Sequence, residues 1–101
     1  MKVRIIYKFP WFWGKYWGIT LYPFILFKYR KKFITERMFR HEWEHVRQIR
    51  DLGWFKFHWQ YLKELLKKGY NDNKFEVAAR RVENLKLTPK QRRTFTLGKE
   101  V

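Results

Sequence analysis

Cysteine is absent from this 101-residue sequence, which excludes disulfide bonds and thiolate metal sites. Any bound metal would need histidine, aspartate or glutamate ligands. Long hydrophobic runs are also missing: the longest uncharged stretch, residues 16–27, contains Pro23 and is too short for a membrane-spanning helix, which takes about twenty residues. The first residues carry frequent charges and no small-residue cleavage site. We therefore expect no signal peptide, no transmembrane segment and a cytoplasmic location.

Acidic residues are scarce, with 9 against 24 lysines and arginines, so the net charge is +15. Such a charge suggests nucleic acid, an anionic surface or an acidic substrate as a partner. The basic residues are spread along the whole chain, which favours a solvated basic surface over a dedicated binding patch. A nucleic-acid or anionic-surface binding module is nevertheless kept as an alternative function, with any zinc site then structural or vestigial.

Aromatic residues make up 22% of the chain, enough to build a core, and the length predicts a single domain over residues 1–101. Residues 1–33 are rich in β-formers and predict a small, mainly antiparallel sheet. Residues 35–87 predict three helices, and residues 88–101 form a tail without a clear period. The fold class is therefore α+β. The tryptophan-rich segment 11–17 belongs either to the core or to a patch facing a membrane or a partner.

The first predicted helix has Thr35 as its N-cap and runs to about Asp51, with Gly53 just past its end. The second covers residues 54–68 and ends at Gly69. A third starts near Asp72 or Asn73 and stops before Pro89. In the second helix, apolar residues recur at spacings of three and four, which is typical of an amphipathic helix. These residues are Phe55, Trp59, Leu62 and Leu66.

The segment HEWEH contains two of the three histidines in the chain, His41 and His45, with Glu42 directly after the first. Residues four apart lie one turn apart on one helix face, so both imidazoles can bind one zinc ion. Zinc lowers the pKa of a coordinated water, and a carboxylate such as Glu42 can then accept its proton. The alternative is a charged helix face in which the two histidines recur by chance.

A catalytic zinc site needs a third protein ligand. His58 lies in an aromatic-rich stretch and is better interpreted as a packed side chain. Glu76 opens the third helix, but Asn73-x-x-Glu76 also fits a capping box, in which the glutamate returns to the helix N-terminus. The residues alone leave these two roles for Glu76 equally open. The other downstream candidates are Glu64, Asp72 and Glu83.

Residues 17–81 resemble short bacterial and phage proteins related to the gluzincin metallopeptidases, including the minimal soluble minigluzincins. The resemblance rests on separated blocks that occur in order along the chain. These blocks are Thr20-Leu21, His41-Glu42-x-x-His45-x-x-Gln48, Tyr61-Leu62, Gly69-Tyr70 and Asn73-x-x-Glu76-x-x-Ala79.

The resemblance implies a zinc-dependent metalloendopeptidase, in which His41, His45 and Glu76 bind zinc and Glu42 is the general base and acid. It also implies that an edge strand near residues 17–22, with Thr20 and Leu21, pairs with an extended peptide substrate. Gln48 and Asn73 are the candidates to hydrogen-bond and orient the metal ligands, and the alternative for Gln48 is an exposed side chain.

The chain departs from the family where Asn-Pro-x-Glu is common, because Lys74 replaces the proline. A donor for the transition state is not defined by the motif; the candidates are Tyr70 and Arg80, and the alternative for Tyr70 is a packed aromatic side chain after the helix-ending Gly69. Small relatives are described as latent, so we also expect the tail to lie in the cleft. Glu100 or the Val101 carboxylate would then occupy the open zinc position. A zinc protein without hydrolytic activity is a further alternative.

Overall fold

The computed structural model describes residues 3–9 and 18–100. The tryptophan-rich segment and Val101 lie outside these residues, so the predictions made for them are untested. In chain order the elements are β1 (Arg4–Tyr7), β2 (Gly18–Leu21), β3 (Phe24–Phe27), a 3-10 turn (Lys31–Phe33), α1 (Glu36–Leu52), α2 (Trp54–Asp72), α3 (Lys74–Val82), α4 (Pro89–Leu97) and β4 (Lys99–Glu100). The predicted α+β class is confirmed.

The four described strands form one mixed sheet in the order β2-β3-β1-β4. Only β2 and β3 are antiparallel, and β1 pairs in parallel with both β3 and β4. The prediction of a mainly antiparallel sheet is therefore wrong. Side-chain alternation reveals a strand but not its direction, and β1 pairs with β3 rather than with β2, the strand that follows it among the described elements. Among the described residues β2 pairs with β3 alone, which makes it an edge strand.

Helix α1 has the predicted bounds. The Thr35 hydroxyl accepts from Met38 N at 3.1 Å, and the chain leaves the helix at Gly53, whose φ of 89° suits glycine. One face of α1 packs on the sheet through Phe39 and Val46, both fully buried. The core of the sheet side consists of Ile5, Tyr7, Ile25, Phe27, Ile34, Phe39, Val46 and Leu87.

Helix α2 breaks at Gly69, where the sequence predicts its end and where φ is 78°. A short turn then continues to Asp72. The helix packs through Phe57, whose ring lies 5.0 Å from that of Phe75 on α3. The four apolar residues spaced by three and four along α2 are exposed instead of buried. No helix in the described part of the chain is long and apolar enough to cross a membrane.

The described part of the tail, residues 88–100, is folded and lies away from β2. Thr88 and Gln91 form a capping box at the start of α4, a fourth helix that the sequence pattern did not predict. Phe95 of α4 packs edge-on against Phe39 at 5.0 Å, and its carbonyl accepts from the Tyr7 hydroxyl at 2.7 Å. The prediction of only three helices is therefore wrong.

Candidate metal centre

The two motif histidines lie on the buried face of α1, with 3% and 5% of their surfaces exposed. Their ring centroids are 5.2 Å apart, as the four-residue spacing predicts. His41 Nε2 lies 2.7 Å from the Glu76 carboxylate, and His45 Nε2 lies 3.2 Å from it. Both imidazoles therefore present the same nitrogen to one carboxylate.

Glu76 comes from the first turn of α3 and is 3% exposed. Its second oxygen accepts from the Tyr61 hydroxyl at 2.5 Å. Asn73 does cap α3, since its side chain accepts from Phe75 N at 2.9 Å and donates to Tyr61 O at 3.1 Å. The Glu76 carboxylate, however, contacts His41, His45 and Tyr61. Of the two roles left open by the sequence, the geometry favours the ligand position over the reciprocal half of a capping box.

The other nitrogen of each imidazole is held by an acceptor. Gln48 Nε2 donates to Phe75 O at 3.1 Å, which leaves Gln48 Oε1 to accept from His45 Nδ1 at 2.9 Å. Glu83 Oε2 lies 2.7 Å from His41 Nδ1. With Nδ1 donating in both rings, the Nε2 lone pair is the one available to a metal ion.

Glu42 is 4% exposed and is held differently from Glu76. The Thr20 hydroxyl of β2 lies 2.9 Å from Glu42 Oε1 and 3.1 Å from its backbone carbonyl. Ligand atoms of His41, Glu42 and His45 all lie within 4.8 Å of one another. Because Thr20 engages the Glu42 carboxylate while Glu76 contacts both Nε2 atoms, Glu76 is the better third ligand and Glu42 the better proton acceptor.

The pKa values follow from burial opposed by charge. Burial alone lowers the pKa of His45, but hydrogen bonding to Glu76 and the nearby Glu42 charge raise it to about 9. The same opposition leaves the pKa of His41 raised. Burial raises the pKa of Glu76, yet its hydrogen bonds to the two histidines hold that pKa well below the usual range. The pKa of Glu42 is raised, chiefly by burial.

These residues fit a zinc ion by their donor chemistry. Two imidazole nitrogens and one carboxylate are the catalytic ligand set of many zinc hydrolases. In the structure, each Nε2 is in hydrogen-bonding contact with the Glu76 carboxylate. A divalent cation bound there would replace the proton between the imidazole and the carboxylate. Each ring is also held from behind, as zinc-binding histidines usually are.

A cavity of about 260 Å³ adjoins this cluster. The strand β2 lines one part of it, which places Thr20 and Leu21 beside the cavity. Residues of α2 line another part, and Tyr70 is also at its wall. The residues that belong to both the cavity and the cluster are Glu42, His45, Tyr61 and Glu76.

Several sequence candidates lie elsewhere. Glu64 accepts from Lys74 N at 3.0 Å, and Asp72 is exposed. Arg80 donates to the Asn71 carbonyl and does not line the cavity, which leaves Tyr70 as the candidate donor. His58 packs 4.3 Å from the Trp54 ring, as expected of a packed histidine, although it also lines the cavity.

The described part of the tail does not enter the cavity. Glu100 accepts from Lys31 N at 3.1 Å and lies 3.6 Å from Arg30. Its strand β4 is at the opposite edge of the sheet from β2. The expectation that Glu100 occupies the metal position is therefore wrong, because β4 pairs with β1 and Glu100 contacts Arg30 and Lys31, at the sheet edge opposite β2.

For two residues of the site, the sequence does not predict the role that the structure gives them. Glu83, a candidate metal ligand by sequence, lies seven residues after Glu76, about two helical turns along, and this spacing could have suggested its contact with His41. Tyr61 enters the sequence analysis only as part of a motif. The hydroxyl of a tyrosine four residues after the buried Phe57 gave no signal of its partner.

Comparisons of the chain with protein-family models, with curated proteins and with solved structures found no match.

Proposed function

We propose that this protein is a zinc-dependent peptidase. The observation that carries the proposal is the convergence of His41 Nε2 and His45 Nε2 on the Glu76 carboxylate, beside an open cavity with an edge strand. The general base Glu42 adjoins the same cavity. A charged helix face formed by chance would be expected at the surface. Here His41, Glu42, His45 and Glu76 are all buried.

Bound zinc would supply a Lewis acid that polarises a peptide carbonyl and acidifies water. His41, His45 and Glu76 would hold the ion. Glu42 would take the proton of the attacking water and return it to the leaving amine. Burial supports this role, because it raises the pKa of Glu42 and makes its carboxylate a stronger base. Thr20 positions that carboxylate through its 2.9 Å contact with Oε1.

The substrate would lie extended along β2. An edge strand offers unpaired backbone groups to a peptide, which binds by main-chain hydrogen bonds. Gly18 brings this strand close to the catalytic glutamate: a Cβ atom added there would lie 3.4 Å from Glu42 Cγ and 3.0 Å from the Phe27 ring. Tyr70, at the cavity wall, is the proposed donor to the developing oxyanion.

The proposal is tested with zinc content and peptide hydrolysis, measured on the same preparations. We expect about one zinc per chain in the wild type, and loss of both zinc and hydrolysis in His45→Ala and Glu76→Ala. Glu42→Gln should keep zinc and lose hydrolysis. The matched control is Glu44→Gln, a second buried glutamate of the same segment, which contacts Arg40 and Arg47 instead of the histidines.

The outcomes separate the alternatives. Two results would support a zinc protein that does not hydrolyse peptides. In both, the wild type contains zinc; either it shows no hydrolysis, or its hydrolysis is unchanged by Glu42→Gln. No zinc after reconstitution would contradict the proposed function and leave the nucleic-acid or anionic-surface binding module.

A further inference from the structure

One face of α2 exposes large apolar side chains that no described part of the chain covers. The outer stripe, as we call it, recurs along the helix at steps of four, three and four residues. Its exposed fractions are 83%, 63%, 44% and 78%, for Phe55, Trp59, Leu62 and Leu66 respectively. At about 100° per residue these four positions fall within roughly 60° of one another around the helix. They therefore form one continuous apolar band.

Lysines border the outer stripe on one side. Lys56, Lys63 and Lys67 lie about 80–120° around the helix from Phe55, and all three are exposed. No described carboxylate forms an ion pair with any of them. Helix α2 carries only two acidic residues, and Glu64 already accepts from Lys74 N. The outer side of the helix thus combines an apolar band with a border of lysines.

The opposite border of the outer stripe leads to the cavity. His58 and Leu65 lie about 60–80° from Phe55 on that side, and both line the cavity next to the histidine cluster. The outer stripe therefore runs beside the mouth of the cavity, and its partner would be close to that opening.

Three kinds of partner can be compared by their chemistry. A second copy of the chain would bring its own lysines and its own +15 charge against the first, which opposes self-association through this face. Nucleic acid would satisfy the lysines and could stack bases on Phe55 and Trp59, but Leu62 and Leu66, the other half of the outer stripe, offer no ring. An anionic bilayer satisfies both features, because acyl chains take up the apolar side chains and lipid phosphates attract the lysines.

We propose that the outer stripe docks on an anionic lipid bilayer, with α2 lying in the plane of the headgroups. Phe55 and Leu66 would enter the acyl boundary, and Trp59 would lie at the interface, where tryptophan is favoured. The lysine stems would extend towards the headgroup phosphates. This docking does not depend on a metal ion, so it can succeed or fail independently of the peptidase proposal.

The test is co-sedimentation of the full chain with vesicles of phosphatidylcholine alone or mixed with phosphatidylglycerol. We expect binding to the mixed vesicles, weakened at least about tenfold in the double variant Phe55→Ser and Leu66→Ser, because two large side chains leave the bilayer. The control is Leu85→Ser with Leu97→Ser, two residues 56% and 71% exposed on other parts of the surface. It should bind as the wild type does.

A second pair of variants tests the charge. Lys63→Gln with Lys67→Gln should weaken binding to mixed vesicles by about fivefold for each lysine, whereas Lys90→Gln with Lys99→Gln should have a smaller effect. All substituted residues are exposed, and thermal melting is measured to check that each variant is folded. Zinc content is measured on the same variants and should not change, which keeps this result separate from the metal centre.

Three results would overturn the proposal. The first is binding that falls equally in both apolar pairs or in neither, since it would then come from the overall charge. The second is tighter binding to a single-stranded oligonucleotide that is lost in the outer-stripe variant. The third is a dimer in solution that this variant converts to a monomer.

Discussion

The orientation of each imidazole is fixed at its Nδ1 atom, away from the cavity. Gln48 is itself held by Phe75 O, so its carbonyl must face His45. Glu83 does the same for His41 and lies 3.7 Å from Arg37. These contacts determine which ring nitrogen is available to a metal ion. Because the rings are already held in place, metal binding restricts their side-chain motion little further.

The first prediction concerns Glu83. Replacing it with alanine removes the acceptor behind His41, so we expect zinc affinity to fall by about 10–100-fold, measured by competition with a chromophoric chelator. Glu36→Ala is the control, because Glu36 also pairs with an arginine, Arg92, but lies away from the histidines. An affinity equal to that of the control would mean that Glu83 only pairs with Arg37.

The second prediction concerns Thr20, proposed as a positioning residue for Glu42. Thr20→Val keeps the shape of the side chain and removes the hydroxyl, so the Glu42 carboxylate loses its 2.9 Å partner. We expect kcat to fall about tenfold or more, with zinc content unchanged and Thr20→Ser restoring most of the activity. Equal losses in the valine and serine variants would point to packing instead of the hydrogen bond.

How much of the site the sequence could predict depends on the range of the contact. His41 and His45 share one helix, so their spacing alone predicts their convergence. Glu76 is 31 residues beyond His45, and its ligand and capping roles could not be separated without the packing of α3 on α1. The contact of Glu83 with His41 depends on that same packing, and the contact of the Tyr61 hydroxyl with Glu76 depends on the packing of α2 against α3.

Among the secondary-structure elements, helix ends were predictable and strand partners were not. Thr35 and Gly53 mark the two ends of α1 by local hydrogen bonding and backbone conformation. The parallel pairing of β1 with β3 and β4 is a long-range choice that local patterns do not encode. The sequence predicts no helix in the tail, because α4 has little apolar periodicity. The capping box Thr88-x-x-Gln91 could have revealed where α4 starts.

The third prediction concerns this tail, at Gly98 between α4 and β4. A Cβ atom there would lie 2.9 Å from Ile5 Cβ and against the Tyr7 ring. Gly98→Ala should therefore destabilise the protein by about 1–3 kcal/mol, measured by urea unfolding, without raising peptidase activity. Leu97→Ala, at a 71% exposed position, is the control. A rise in activity on loosening the tail would instead support latency.

For the whole molecule, the net charge of +15 opposes folding, since like charges repel in the compact state. Most of this charge is at the surface, where it is screened by salt. The buried cluster of His41, His45, Glu42 and Glu76 is screened much less. Salt and zinc should therefore stabilise the protein through different residues, and their effects can be separated.

The fourth prediction uses this separation. With free zinc about a thousandfold above its dissociation constant, binding stabilises the folded state by about 4 kcal/mol, and each kcal/mol raises the melting midpoint by about 4–8 °C in a chain of this size. We expect zinc to raise the midpoint of the wild type and of Glu42→Gln, but not that of Glu76→Ala. Added sodium chloride should raise the midpoint in all three, because it acts on the surface charge. If zinc stabilises Glu76→Ala as much as the wild type, the ion binds through other residues and Glu76 is not its ligand.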